Sequence, residues 1–284
     1  MSNLQHRLLL GSMTTFFAIL LLWFSPYLFF RPIFALILAT FITLAAAELF
    51  HLAKSKNYQP LTKIGLVGCF LYTLSVYVST QHGQAQILPY IVLILIVWIC
   101  FFYFFKTGDK PLLNISITLL ALMYVAIPLA SWLNIAYFFP EHSPQEGRWW
   151  LLYLLAVTKT TDIGAYFVGS LLGKHKMAPY LSPKKSNEGA VGGLCCGLGA
   201  SFTFYWISAH IPFQITLFQS LTLGILLSTM GQIGDLAESL LKRDADIKNS
   251  NQIPGLGGIL DMLDSLVFTS PIVYIFLEIQ SASS

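Results

Sequence analysis

The most prominent pattern in the chain is the recurrence of long apolar stretches separated by short polar segments. A helix needs about 20 apolar residues to cross a bilayer, and nine stretches approach or exceed that length. They lie at 8–25, 32–50, 63–80, 87–105, 112–133, 149–171, 190–209, 213–233 and 259–279. The pattern predicts an all-α integral membrane protein with about nine transmembrane helices. About five of these lie in residues 1–148 and about four in residues 149–284.

The composition of the chain supports a membrane protein. Hydrophobic residues make up 56% of the 284 residues and charged residues 10%, whereas soluble domains have about 25% charged residues.

Residues 1–25 resemble a secretory signal peptide, because Arg7 precedes an apolar stretch. However, no small-residue cleavage site follows, so we interpret 8–25 as a first span. All four cysteines lie in apolar stretches without the Cys-x-x-Cys spacing of a zinc or redox site.

The basic residues are concentrated in alternate loops, which predicts the orientation in the membrane. Only Arg31 and Arg148 lie in one set of loops. Thirteen of the sixteen lie on the other side, at the N-terminus, in 51–62 with Lys63, and in 106–111, 172–189 and 234–258. Because cytoplasmic loops are enriched in lysine and arginine, the N-terminus and these loops are predicted to face the cytoplasm. The C-terminus is predicted on the opposite face of an inner membrane. The net charge of +3 follows from this bias and does not indicate a nucleic-acid partner.

Asp162, a carboxylate inside an apolar stretch, is the first candidate functional residue. On a helix, Asp162, Tyr166 and Gly169 lie on one face, where a small residue lets a ligand or another helix approach closely. Ionisable groups inside a bilayer are costly and are usually kept for a function. A local ion pair with Lys159, three residues earlier, is the structural alternative.

The polar segment 182–189 is a candidate phosphate-binding site. It contains Ser182, Lys184, Lys185 and Glu188 and leads into a glycine-rich helix start. Ammonium groups attract phosphate, and the amides at a helix N-terminus add hydrogen-bond donors. The alternative is that the lysines only determine topology or contact anionic headgroups.

The segment from Gly234 to Ser265 has six of the thirteen acidic residues of the chain. Asp235 lies on a predicted helical face with Glu238, and Asp261 and Asp264 lie on one face at the start of the last span. Oxygen ligands without a nearby histidine or cysteine favour Mg²⁺. The sequence therefore predicts one or two divalent ions, bound by Asp235, Asp261 and Asp264. A second, monovalent cation is also considered.

Basic residues in the same segment are candidates for binding phosphates. Lys242 lies on the helical face of Asp235 and Glu238, and Arg243 and Lys248 follow it. Such cations form strong, charge-assisted hydrogen bonds with phosphate oxygens. The alternative is a solvated charged loop with helix-capping acids, which explains Asp244 and Asp246 but not the carboxylates that border apolar helices.

These motifs resemble those of phosphatidate cytidylyltransferases, also called CDP-diacylglycerol synthases. The resemblance extends over about 160–265. The matching blocks are Asp-x-x-Ala-Tyr-Phe-x-Gly at 162–169, Gly-Lys-His-Lys at 173–176, Ser-Pro-Lys-Lys-x-x-Glu-Gly at 182–189, Gly-Asp-Leu-x-Glu at 234–238, Ser-x-x-Lys-Arg at 239–243, Pro-Gly-x-Gly-Gly at 254–258 and Asp-x-x-Asp-Ser at 261–265. Three positions depart from the family pattern: Asn249, Leu256 and Met262 replace Asp, His and Arg.

The resemblance implies a membrane enzyme of phospholipid biosynthesis that joins CTP and phosphatidic acid, producing CDP-diacylglycerol and pyrophosphate. It implies Mg²⁺ as cofactor, the lipid bilayer as surroundings, and a homodimer. The implied catalytic residues are Asp162, Asp235, Lys242, Arg243 and Asp261. The implied substrate-binding residues are Ser182, Lys184, Lys185, Glu188, Glu238, Ser239, Lys248, Gly257 and Gly258.

Two other functions remain open at this point. A CTP-dependent kinase of a polyprenol or phytol-like alcohol would use a similar membrane site, but its substrate would attack the terminal phosphate. An ion transporter could also hold carboxylates within its spans, but transporters typically place polar groups in paired halves around a mid-bilayer site. Here the clusters lie in the C-terminal half alone, which favours an enzyme.

Overall fold

The computed structural model describes residues 17–140, 143–247 and 258–283, and most of these are helical. The described part of helix α1 covers 17–24. The other helices are α2 (Arg31–Ser55), α3 (Thr62–Gln81), α4 (Leu88–Thr107), α5 (Pro111–Leu120), α6 (Ile127–Ala136), α7 (Gly147–Leu172), α8 (Asn187–Ile207), α9 (Leu217–Asp244) and α10 (Ile259–Ser283). Strands β1 (Lys176–Ala178) and β2 (Ser182–Ser186) form an antiparallel hairpin between α7 and α8.

The predicted all-α membrane fold, with a helix count near nine, is confirmed. A π-helical turn at Ala121–Ala126 joins α5 to α6. Within the described residues, the ten helices therefore form nine continuous helical segments, and seven of these are long and apolar enough to cross a bilayer. Of the remaining two, α1 is described only in part and α9 is long but more polar. Helix α9 extends to Asp244, so Asp235, Glu238 and Lys242 lie on a helix, as predicted, and the polar segment 234–258 begins within it.

Contacts between backbone positions divide the chain into two compact units. The first comprises Met1–Asn134 and Leu241–Leu263, and the second comprises Ile135–Leu240 and Asp264–Ser284. Helices α9 and α10 therefore each contribute residues to both units.

In the first unit, α2 packs against α3, and alanines lie among its buried residues. Ala35, Ala39 and Ala46 are fully buried, and their spacing puts them on one side of the helix. By contrast, α4 exposes large apolar side chains: Trp98 is 57% exposed and Phe105 76%. In a membrane protein such a face lies against lipid, where apolar exposure has no cost.

In the second unit, the tight pairing of α7 and α8 depends on glycines at four-residue spacing. Gly189, Gly193 and Gly197 are buried along one side of α8. A Cβ atom at Gly193 would lie 2.8 Å from the carbonyl oxygen of Thr161 on α7, so only glycine allows this approach. Helix α9 joins the pair through a 2.9 Å hydrogen bond between the hydroxyls of Ser228 and Thr161.

Candidate active site

Asp162 is the centre of a polar cluster in the second unit. Its Oδ2 atom lies 3.4 Å from Lys159 Nζ and accepts a 3.3 Å hydrogen bond from the hydroxyl of Ser265 on α10. Lys159 Nζ also donates to that hydroxyl, over 3.2 Å. The local ion pair given above as the structural alternative therefore forms, but it belongs to a three-residue network that connects α7 to α10.

The other carboxyl oxygen of Asp162 is a buried polar atom, although about a quarter of the whole side chain is exposed. Asp162 Oδ1 is inaccessible to solvent and has no hydrogen-bond partner within the described ranges. A buried carboxylate oxygen without a partner is energetically costly. Such an atom is suited to accept a cation or a donor from a substrate.

Asp235 on α9 lies close to this cluster and binds a lysine of the hairpin. Lys185 Nζ is 3.2 Å from Asp235 Oδ2, and about a quarter of each side chain is exposed. Asp235 also lies within electrostatic range of Asp162 and Asp264. The second unit thus brings Asp235 next to a lysine of the segment 182–189 and within electrostatic range of two further carboxylates singled out from the sequence.

Close packing of α9 on α10 determines the position of Asp264. A Cβ atom at Gly234 would lie only 2.5 Å from the carbonyl oxygen of Asp264 and 3.1 Å from Cα of Ser265. The carboxylate of Asp264 is buried and accepts a 2.6 Å hydrogen bond from the amide of Ser265. Glu238, one turn after Asp235, is also buried.

The hairpin residues predicted to bind substrate have different surroundings. Lys184 is exposed and Ser182 is half-buried. Glu188 accepts hydrogen bonds from the backbone amides of Lys174, over 3.1 Å, and His175, over 3.2 Å. The Glu188 carboxylate thereby ties the start of the hairpin to the first turn of α8, so the structure gives it a role in shaping the hairpin.

In the first unit, Asp261 forms an ion pair with Lys242. Asp261 also accepts a 3.1 Å hydrogen bond from the amide of Gly258. Lys242 is only 12% exposed, and its neighbour Arg243 is exposed. The lysine and the aspartate singled out from the sequence thus lie together.

The remaining predicted residues are not all described. Lys248 and Gly257 lie outside the described ranges, as do the departures Asn249 and Leu256. Ser239 on α9 and the third departure, Met262, are half-buried.

The metal ligands predicted from the sequence are all carboxylates, and the hard cation stays a prediction. The hydroxyl of Ser265 lies beside the Asp162 carboxylate, and oxygen donors are those that Mg²⁺ prefers. In 17–140, 143–247 and 258–283, no three His, Cys, Asp or Glu side chains are grouped closely enough to hold a metal ion. Asp162, Asp235 and Asp261 each pair with a lysine ammonium group.

Sequence reasoning missed two residues of these clusters. Ser265 bridges Lys159 and Asp162, and its position directly after Asp264 in the motif was the available signal. Glu48 on α2 accepts hydrogen bonds from the first amides of α10. Nothing in its local sequence indicated that contact.

Comparison with known proteins gives matches over nearly the whole chain. The model of the cytidylyltransferase family matches residues 5–280. A phosphatidate cytidylyltransferase of Chlamydia pneumoniae is 35% identical over 290 residues, which cover 98% of this chain and 92% of that protein. The protein of the same name from Bacillus subtilis is 32% identical over 246 residues, or 84% and 87% of the two chains. The matches include the N-terminal helices, for which the motifs gave no signal.

Proposed function

Because the chain belongs to the cytidylyltransferase family, we propose that it joins CTP to phosphatidic acid, giving CDP-diacylglycerol and pyrophosphate. The main support is the 35% identity to the Chlamydia pneumoniae phosphatidate cytidylyltransferase over nearly the full length of both chains. In this role the protein is a membrane-bound transferase of phospholipid biosynthesis.

The reaction requires little covalent chemistry from the protein. An anionic oxygen of the lipid phosphate attacks the α-phosphorus of CTP. The bond between that phosphorus and the oxygen bridging to the β-phosphate breaks, and pyrophosphate leaves with the bonding electrons. Since the nucleophile is already ionised, no serine, cysteine or histidine is needed. The barrier comes from bringing two polyanions together and from the charge that develops on pyrophosphate, so positioning and cations decide the rate.

We propose that Lys185 and Lys242 are two of the cations that bind phosphate groups. Each ammonium group is paired with a carboxylate, Asp235 for Lys185 and Asp261 for Lys242. A phosphate group can replace the carboxylate as partner, because it offers more anionic oxygens in the same geometry. The low exposure of Lys242, 12%, strengthens its attraction to an incoming anion. Arg243, Lys184 and Lys248 would add positive charge.

For Mg²⁺, we propose the predicted ligands Asp235, Asp261 and Asp264, and we add Asp162. The addition is supported by the buried Oδ1 atom of Asp162, which has no hydrogen-bond partner in the part of the chain that is described. When bound, Mg²⁺ would supply positive charge that stabilises the leaving pyrophosphate. Release of Lys185 from Asp235 on phosphate binding would free that carboxylate for the ion.

The proposed surroundings follow from the substrates. Phosphatidic acid resides in the bilayer, and its acyl chains fit beside apolar helices such as α4. CTP is soluble, so we propose that the N-terminus and the charged loops face the cytoplasm from a bacterial inner membrane, with the C-terminus on the other side. A homodimer is proposed from the resemblance of the motifs.

Pyrophosphate release provides a direct test of the proposed reaction. Purified protein with CTP, phosphatidic acid and Mg²⁺ should release pyrophosphate only when all three are present, in equal amount to the cytidine recovered in the lipid phase. A lipid-alcohol kinase would instead release CDP and would not respond to phosphatidic acid. Absence of pyrophosphate under these conditions would refute the proposed function.

A further inference from the structure

Glu48 is a buried carboxylate in α2 that caps a different helix. Its side chain is 3% exposed. Its two oxygens accept hydrogen bonds from the amides of Ile259, over 2.7 Å, and Leu260, over 3.0 Å. These amides open α10 and have no partner within that helix. A negative charge at this end is also favoured by the helix dipole.

The backbone amide before these two also donates a hydrogen bond to a carboxylate, so the first amides at the start of α10 already have partners. Gly258 donates its N–H to Asp261 over 3.1 Å. Three successive amides thus bind carboxylates, two to Glu48 and one to Asp261. Since these donors are used, a phosphate cannot bind at the amides of Ile259 and Leu260 unless Glu48 leaves. Phosphate binding near Asp261 must therefore depend on side chains such as Lys242.

Helix α2 also contacts the residues that directly follow α9. Ser55 donates a 3.1 Å hydrogen bond to the carbonyl oxygen of Ala245, and Lys56 pairs with Asp246. The hydrogen bond with Asp246 raises the pKa of Lys56. Glu48 and Ser55 are seven residues apart on α2, or about 10 Å along a helix. Helix α2 therefore contacts both the residues after α9 and the first residues of α10.

We propose that Glu48 is a positioning residue for the cytidylyltransfer reaction. It fixes the first turn of α10 and, through it, the Asp261 carboxylate that pairs with Lys242. This inference rests on the proposed function, since Asp261 and Lys242 are assigned to the reaction there. Misplacement of a catalytic group by about 1 Å can cost roughly a hundredfold in rate, so the effect should appear in kcat.

The test compares Glu48 variants of the full-length protein with a matched control. Asn114 is equally buried, at 2% exposed. Its side chain likewise accepts a hydrogen bond from a backbone amide of a loop, that of Gln59, over 3.1 Å. Asn114 lies outside the family motifs. Asn114→Ala and Glu48→Ala each remove a buried acceptor, and both should lower the thermal unfolding temperature. Only Glu48→Ala and the near-isosteric Glu48→Gln should lower kcat, by roughly 10- to 100-fold, with KM for CTP changing less than threefold. Glu48→Asp, which keeps the charge, should recover part of that loss.

Hydrogen exchange provides a readout that does not depend on activity. The amides of Ile259 and Leu260 should exchange faster in Glu48→Gln than in wild type, and they should be unchanged in Asn114→Ala. Unchanged exchange at these amides would overturn the capping contact. Equal kcat losses in Glu48→Ala and Asn114→Ala, or full kcat in Glu48→Gln, would overturn the positioning role. An inactive wild-type protein would instead refute the proposed function, while the exchange experiment would still test the cap.

Discussion

The close approach of α9 and α10 at Gly234 makes Gly234→Ala the most informative substitution in the second unit. The new Cβ atom would lie 2.5 Å from the carbonyl oxygen of Asp264, against 3.4 Å for an ordinary contact, so the helices must separate by about 0.9 Å. The three nearest atoms, from Asp264 and Ser265, all belong to the backbone and cannot rotate away. Overpacking of this kind costs about 1–3 kcal/mol, partly offset by up to about 1 kcal/mol from replacing glycine with alanine in a helix.

The larger effect of Gly234→Ala should be on catalysis. The displaced backbone is that of Asp264 and Ser265, and Ser265 bridges Lys159 and Asp162. A shift of about 1 Å in such groups can cost roughly a hundredfold in rate. We therefore expect the rate of CDP-diacylglycerol formation to fall about 100-fold, while the unfolding temperature in detergent falls by only a few degrees.

A matched control lies one turn earlier on the same helix. At Gly231, an added Cβ atom would meet its nearest neighbour, Thr158 Cγ2, at 3.4 Å, which is a normal contact. Gly231→Ala should therefore keep the wild-type rate and an equal or higher unfolding temperature. Equal activity in the two variants would refute the claim that the Gly234 contact positions the site.

Three further predictions concern the metal ligands, the phosphate-binding cations and the topology. Asp235→Asn should lower turnover at least tenfold in a folded protein, and a smaller loss would exclude Asp235 as a direct Mg²⁺ ligand. Lys242→Ala should lower kcat/KM roughly 10- to 150-fold, from a charge-assisted contact of about 1.5–3 kcal/mol, whereas Lys110→Ala should change it little. Equally small losses in Lys242→Ala and Lys110→Ala would mean that Lys242 only helps to determine the membrane topology. In a variant without the native cysteines, Ser143→Cys should react with an impermeant thiol reagent added outside, and Asp244→Cys only after the cytoplasmic face is opened. The reverse labelling would overturn the orientation.

The helices were predictable because the length of an apolar run is a local property. The stretches 63–80 and 149–171 correspond closely to α3 (Thr62–Gln81) and α7 (Gly147–Leu172). The hairpin at 176–186 was not predicted. Its strands have three and five residues, too few for a periodic pattern, and Pro183 lies within β2, where proline is rare.

The candidate site was predictable as far as its charged residues stand out from an apolar background. Asp162 was singled out for that reason. The ion pair with Lys159, given as the structural alternative, is also present. The pairing of Lys185 with Asp235 could not be deduced, because it depends on where the hairpin lies relative to α9. Glu48 was missed because it lies near the end of an apolar run. Its role depends on contacts with Ile259 and Leu260, which lie 211 and 212 positions away.

The position of the label in the lipid product tests the proposed reaction most directly. Purified protein is incubated with phosphatidic acid, Mg²⁺ and CTP labelled with ³²P at either the α- or the γ-phosphate. Attack at the α-phosphorus predicts that only the α-label enters the lipid phase and that the γ-label is recovered as pyrophosphate. Transfer of the γ-label to a lipid alcohol would identify a kinase and contradict the proposed function, as would the absence of label in lipid from either nucleotide.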